Sequence, residues 1–278
     1  SELEQPIVEN KDQIAATRLQ QLVRPFIMRR LKTDVLKELP DKLEHAVYAQ
    51  MTDEQNKLYT ANALKLQKDL EQQSDSMFKT SKIQILAELT KLRQLCCDPS
   101  LIYQNYHGGS AKLDTCIQLI ENAMAGGHKI LLFSQFTSML DVIERRLKTE
   151  RILYYRLDGS TKSEQRTRLV NAFNENNVPV FLISLKAGGT GLNLTGADIV
   201  IHYDPWWNAA AQNQATDRAH RIGQKHTVTV YKLIARHTIE EKILELQENK
   251  KALSDQILSE EGVTANHLTK EDLLQILQ

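Results

Sequence analysis

From Lys112 onward the chain alternates short, almost wholly apolar runs with stretches of helical period, and this alternation restricts the fold more than any other feature. "KILLFSQF", "ILYYRLDG", "PVFLISL", "DIVIHYD" and "TVTVYKLIA" read as strands. Between them lie "MLDVIERRLKTE", "SEQRTRLVNAFNE" and "QATDRAHRIGQ", which read as helices; "AKLDTCIQLIENAMAGG" precedes the first strand and ends on glycine. Thr161–Glu164 and Thr238–Glu241 have the spacing of capping boxes. Runs this apolar belong to strands buried on both faces. The expected architecture is an open α/β fold, a doubly wound parallel sheet with helices on both faces.

The sequence before Lys112 has a different character. "IAATRLQQLVRPFIMRRL" carries Ile14, Leu19, Leu22, Phe26 and Ile27 near helical spacing, interrupted at Pro25. "HAVYAQMT" (His45 to Thr52) is a short strand candidate. "DEQNKLYTANALKLQKDLEQQ" reads as a polar helix with Leu58, Ala61, Leu64 and Leu66 as its apolar side, and "SKIQILAELTKLRQLCCDP" as a helix stopped at Asp98-Pro99. The paired glycines Gly108 and Gly109 mark a boundary. Three segments are expected: a mostly helical 1–110, an α/β domain over 111–239, and bracing helices over 240–278 in which Leu246, Leu253 and Ile257 pack back on the sheet.

Composition excludes more than it assigns. Lysine plus arginine number 35, as do the acidic residues, so any basic site must come from local clustering. No apolar run approaches the roughly 20 residues of a membrane helix, and "SELEQPIVEN" is no signal peptide. The three cysteines, Cys96, Cys97 and Cys116, lack CxxC spacing, and His202, His220 and His226 are scattered, so reduced thiols and no metal site are expected.

Ligands of open parallel sheets bind where the strands' carboxyl ends enter the loops. Three stretches fall there. "SLKAGGTGLNLTGAD" supplies Gly188, Gly189, Gly191 and Gly196, whose amides suit a phosphate. It fails the Walker pattern at Ala197 and Asp198, and the dinucleotide pattern at Leu194. "LDGSTKSEQR" places Gly159, Ser160 and Thr161 at a strand-to-helix junction, where hydroxyls and amides can meet a phosphate or simply cap the helix. In "QATDRAHRIGQ", Gln214, Arg218 and Arg221 are spaced to share one helical face. Two arginines there resemble a finger pair for a phosphoryl group in flight. Trp206 and Trp207 lie on an extended segment, so one ring can pack inward and the other outward, against nucleic acid.

"QATDRAHRIGQ", preceded by "SLKAGGTGLNLTGAD" and "DPWWN", resembles motifs five and six of the Swi/Snf family of ATP-dependent DNA translocases, a branch of the superfamily-two helicase-like motors. "KILLFSQF" and "YYRLDGSTKSEQR" resemble its motif-four region, and "LVRPFIMRRLKTDVLKELPDKLE" the segment joining its two lobes. The resemblance implies a RecA-like C-terminal lobe supplying Arg218 and Arg221 as arginine fingers, with Gln214 heading the motif. It implies ATP contacts from Gly188, Gly189, Gly191 and Asn193. For DNA it implies contacts from Ser134, Gln135, Gly159, Ser160, Thr161, Arg166, Ser184, Lys186, Trp206 and Trp207. ATP with Mg would be held chiefly by a first lobe bearing a Walker box and an acidic box, neither of which this sequence contains. The implied partners are double-stranded DNA, the N-terminal RecA-like lobe of the same protein and a DNA-bound protein as remodelling substrate, with no membrane. The implied location is nucleoid-associated in a bacterial cytoplasm, or nuclear in a eukaryote. Ala209, Ala210 and Ala211 depart from the proline and acidic residues common after "DPWWN". A strand-separating helicase lobe, a non-enzymatic nucleic-acid-binding module and a dinucleotide-dependent enzyme are the rival readings.

Overall fold

The computed structural model describes residues 39–188, 191–247 and 270–277. The expected helix around Ile14 to Ile27, and Leu253 and Ile257, lie outside the described residues. Among the described residues, six parallel strands form one sheet: β1 (Lys42–Ala49), β2 (Ile130–Ser134), β3 (Tyr154–Leu157), β4 (Val180–Ser184), β5 (Ile199–His202) and β6 (Val228–Ala235), in the order β1-β6-β5-β2-β4-β3. The doubly wound α/β expectation holds. The edge strand β1 starts earlier than its expected His45 and pairs Lys42 with Val228 through Ala49 with Ala235, so the sheet draws one strand from the segment before 111.

Alternation along the central strands sorts side chains onto two covered faces. Ile130, Leu132, Val180, Leu182, Ile199 and Ile201 point into a core shared with helices α3 (Ala111–Ala125) and α4 (Thr137–Thr149). Leu131, Phe133, Phe181, Ile183 and Val200 point the other way, toward α5 (Ser163–Glu175) and the segment from α7 (Ala209–Thr216) to Ala219. A one-turn helix, α6 (Leu185–Gly188), follows β4 directly. The glycine end of α3 is a Schellman motif: His128 and Gly127 amides donate to Ala123 and Met124 carbonyls, with Gly127 at φ 76°.

A third core lies among helices. The antiparallel pair α1 (Asp53–Gln72) and α2 (Asp75–Cys97) packs with α8 (239–247) and α9 (Lys270–Leu277) around Tyr59, Leu66, Leu70, Leu89, Leu92, Ile239, Ile243 and Leu273. Leu246 joins this helical core rather than the sheet. The expected apolar side of α1 is corrected here. Tyr59, Ala63, Leu66 and Leu70 are buried, whereas Ala61 and Leu64 face solvent. The period fitted both stripes, and the stripe holding the aromatic ring won. Gln55 continues that stripe because its amide donates to the Leu95 carbonyl at the end of α2 (3.0 Å).

Lys112 and Glu240 form a buried ion pair that fastens α8 to α3. The same carboxylate accepts the Ala235 amide (2.8 Å), and the ammonium lies 5.7 Å from the Tyr203 ring centroid. Burial is the largest single influence on Lys112 and opposes its charge, but Glu240 and the neighbouring Cys97 and Cys96 together outweigh it and raise the lysine above its ordinary range. Removing one partner strands the other charge, so Lys112→Met should destabilise the chain by about 3–5 kcal/mol in urea titrations. Lys112→Met with Glu240→Gln should recover most of that loss; equal destabilisation by single and double variants would contradict the pairing.

Candidate nucleotide and nucleic-acid edge

Parallel strands send their following loops to one edge of the sheet. There the chain leaves β2 toward β3 on one side, while β5 leads to β6 on the other, and this divergence is the switch-point crevice where such sheets bind ligands. The loops after β4 and β5 supply the glycines and the arginine segment at that edge.

The helix carrying Gln214 is shorter than its spacing suggested. α7 ends at Thr216, and Asp217 takes its C-cap position. Arg218 and Arg221 lie in the turns beyond, so the three residues do not share one helical face. Hydrogen bonds across the edge explain the early stop. The Leu194 amide donates to the Arg218 carbonyl (3.0 Å), Arg218 Nε donates to the Gly188 carbonyl (3.0 Å), and Arg221 Nη1 donates to the Leu192 carbonyl (3.1 Å). The loop thus takes the Arg218 carbonyl, while the amides of Arg218 to Arg221 keep local turn bonds. Gly223, at φ 101°, completes the reversal in a conformation that favours glycine.

Gln224 fastens the two stretches together. Its Nε2 donates to the Ala197 (2.8 Å), Thr195 and Ala219 carbonyls, and its Oε1 accepts the Lys225 and His226 amides. Asn174 holds the loop from α5, donating to the Asn193 carbonyl and accepting the Gly196 amide. Arg218 is 9% exposed, whereas Arg221 is half-buried and Gln214 exposed. Burial, and then the neighbouring Arg221, lower the Arg218 pKa, with Asp217 opposing. Two like charges are therefore held close at an edge rich in backbone polar groups.

The remaining sequence-derived candidates divide by exposure. Gly159, Ser160, Lys186, Gly191 and Asn193 are exposed at this edge, whereas Gly189 lies outside the described residues. Gly188 is buried, with room for no side chain: a Cβ there would stand 2.8 Å from the Phe133 ring. Ser134 and Ser184 are buried, with their hydroxyls in internal bonds. Ser134 Oγ donates to Asp204 (2.6 Å) and Ser184 Oγ accepts the Ala187 amide (3.3 Å). Trp207 is buried in the helical core and Trp206 packs partly buried between two cores, because the turn after β5 directs both rings inward. Gln135 and Thr161 are half-buried. The Thr161–Glu164 capping box does not form. Thr161 Oγ1 instead accepts the Asp158 amide (3.1 Å), and α5 starts after Lys162 with no side-chain cap. Arg166 turns inward onto the Thr161 and Asp158 carbonyls. In the other expected box, the Thr238 hydroxyl accepts the Glu240 amide and Glu241 accepts the His237 amide, a register one residue earlier than the ideal motif.

Sequence reasoning missed a buried cluster under this edge. The Asp204 carboxylate accepts Ser134 Oγ and the Gln135 amide, spanning β5 and β2 at the switch point, and pairs with Arg93 from α2 (3.3 Å). Burial raises the Asp204 pKa despite the arginine beside it. In the sequence, Arg93 is one charge among several on a helix, with no local mark of this partnership. His202, at the end of β5, hydrogen-bonds Thr216 at the end of α7 (2.9 Å) and stacks on Phe133 (5.6 Å between centroids). Among the described residues, no group of three histidine, cysteine or acidic side chains could hold a metal, and no helix is long and apolar enough to cross a membrane.

Burial, reinforced by Lys232, lowers the His202 pKa to about 3. The unfolded chain binds a proton below about pH 6.5 that the folded chain refuses, so stability falls with decreasing pH by about 1.4 kcal/mol per unit until the folded group titrates. His202→Gln should flatten this limb of the stability–pH curve between pH 6 and about 4. An unchanged slope would place the acid sensitivity elsewhere.

Residues 111–223 match the helicase conserved C-terminal domain and residues 1–101 the SNF2-related domain. An "Uncharacterized ATP-dependent helicase" of Mycoplasma pneumoniae is 40% identical over 264 residues, covering 94% of this chain and 25% of its own length. The chain thus spans about a quarter of that relative. The Sulfolobus solfataricus SWI2/SNF2 ATPase C-terminal domain superposes with a TM-score of 0.69 at 32% identity, covering 85% of this chain and 98% of that one. The same archaeal ATPase core in complex with double-stranded DNA gives 0.70 at 33% identity, covering 97% and 57%. The doubly wound sheet with its glycine loop and paired arginines is therefore a RecA-like lobe, and the chain belongs to the SWI2/SNF2 ATPase family, in its C-terminal domain.

Proposed function

We propose that this chain is the second lobe of a two-lobed, DNA-dependent ATPase that moves along double-stranded DNA and remodels the protein–DNA complexes it meets. The observation that carries this reading is the pairing of Arg218 and Arg221 beside the glycine loop at the carboxyl edge of the sheet. Each guanidinium gives a hydrogen bond to a loop carbonyl, and the two lie close enough for Arg221 to depress the Arg218 pKa. An anion at this edge would relieve that repulsion, and a triphosphate has the charge and oxygen geometry to do so.

On this reading, closure of the first lobe brings the terminal phosphate of ATP to Arg221 and Arg218. The guanidinium groups then stabilise charge on the transferring phosphoryl group, while the fastened glycine loop holds them in place. Asp217 is the single carboxylate within residues 214–224, so magnesium belongs with the first lobe's acidic residues. Gly191 and Asn193 are the exposed loop residues able to approach the nucleotide. Gly159, Ser160 and Lys186 are exposed where a phosphate backbone could run. Such contacts are independent of base sequence, as movement along arbitrary DNA requires.

In the two-lobed protein, Arg221→Ala should lower DNA-stimulated ATP hydrolysis by about 10³-fold or more while leaving DNA binding near its original level. Normal turnover by that variant would sink the assignment. This chain alone should bind ATP and DNA weakly and hydrolyse no ATP, because the phosphate-cradling lobe is supplied from outside it. Turnover by the purified chain, lost on Arg221→Ala, would contradict that division of labour.

A further inference from the structure

The nucleotide reading leaves the guanidinium of Arg93 unused. Arg93 belongs to α2, yet it is 1% exposed and reaches across to the turn after β5. Its Nη2 donates to the Pro205 carbonyl (2.6 Å) and to Asp204 (3.3 Å). Its guanidinium carbon lies over two rings, 5.2 Å from the Phe136 centroid and 5.1 Å from that of Trp206. Stability alone does not explain a charge in this place. A buried ion pair is often no better than apolar residues of similar volume.

What the contacts share is their target. All converge on Asp204–Trp206 or on Phe136, which follows β2 at the same edge. Pro205 stands three residues before Asn208, whose side chain caps α7 by accepting the Ala211 amide (3.3 Å). α7 then runs to Thr216, and the arginine turns follow. From the other side, Gln247 of α8 donates to the Trp206 carbonyl and to Gln212 of α7 (2.8 Å). The helical layer thus grips both the start of α7 and its middle.

We infer that Arg93 is a positioning residue, tying the helical layer to the Asp204–Trp206 turn and so setting where α7 delivers Arg218 and Arg221. The inference rests on the phosphate role proposed for those two arginines. A rigid, planar cation suits the place: it lies over two rings and holds a carbonyl and a carboxylate from one nitrogen. Lysine has no such plane. The consequence is a mechanical link, in which a shift of the α1–α2 pair against the sheet moves the arginine segment.

Two variants of the two-lobed protein test this: Arg93→Lys, and Arg93→Met combined with Asp204→Asn. The double variant fills the place over the rings, leaves no stranded charge and keeps an acceptor for Ser134 and Gln135. In both, kcat for ATP at saturating DNA should fall by about tenfold or more, with KM for ATP and DNA affinity staying within about twofold. The thermal midpoint of the double variant should stay within about 4 °C of the unmodified protein. Unchanged kcat would overturn the inference, and so would a joint decline of kcat, ATP affinity and thermal midpoint, which would mark a packing role alone. Arg221→Ala measured alongside separates the two levels. If it is inactive while the Arg93 variants turn over normally, the positioning role fails by itself; if it is active, the phosphate reading fails first.

Discussion

Strand direction is the constraint on which the rest of this molecule depends. Because the six strands described run parallel, the loops that follow them emerge at one edge, and the chain must cross a face of the sheet between one strand and the next. The edge then has to be held together, since loops of such different origin have no reason of their own to meet. Side-chain donors that reach backbone carbonyls do most of that holding. Leu194 to Arg218, Arg218 to Gly188, Arg221 to Leu192 and Gln224 to three carbonyls join the loop after β4 to the turns after α7. The arginines are therefore part of the scaffold that aims them.

Below this edge, buried charge does a different task. Arg93–Asp204 joins α2 to the turn after β5, and Lys112–Glu240 joins α8 to α3. Both pairs are almost wholly shielded from water, where desolvation costs several kcal/mol per ion and only good geometry recovers it. Asp204 recovers part of it by accepting from Ser134 and Gln135 as well, and Glu240 part by accepting the Ala235 amide, while burial still raises the pKa of both carboxyl groups. The helical layer is registered to the sheet by directional bonds as well as by apolar packing, which by itself would permit sliding.

Local chemistry was legible in the sequence, and long-range partnership was not. The central strands could be read because β2, β4 and β5 are buried on both faces and carry almost nothing but apolar residues. β1 was placed a few residues late because its exposed, charged residues look like a loop until β6 supplies a partner. The apolar side of α1 was misplaced because Leu58, Ala61 and Leu64 fit a helical stripe nearly as well as Tyr59, Ala63 and Leu66. At the edge, motif spacing found the arginines and the glycine loop. It also suggested a helix where tertiary bonds to that loop end one at Thr216. Ser134 and Ser184 lie buried at that edge, which no local pattern signals. Arg93 and Asp204, which stand 111 residues apart, carried no local signal of their pairing.

The central claim is that the arginine edge is half of a phosphate site whose other half lies on a separate lobe. The most direct measurement is the affinity of this chain for a separately produced first lobe on DNA, with and without ADP, magnesium and aluminium fluoride, which together mimic a phosphoryl group in transfer. The account predicts that the mimic tightens association by about tenfold or more, and that Arg218→Gln with Arg221→Gln erases the gain. Equal association with and without the mimic, or a gain indifferent to both arginines, would contradict it.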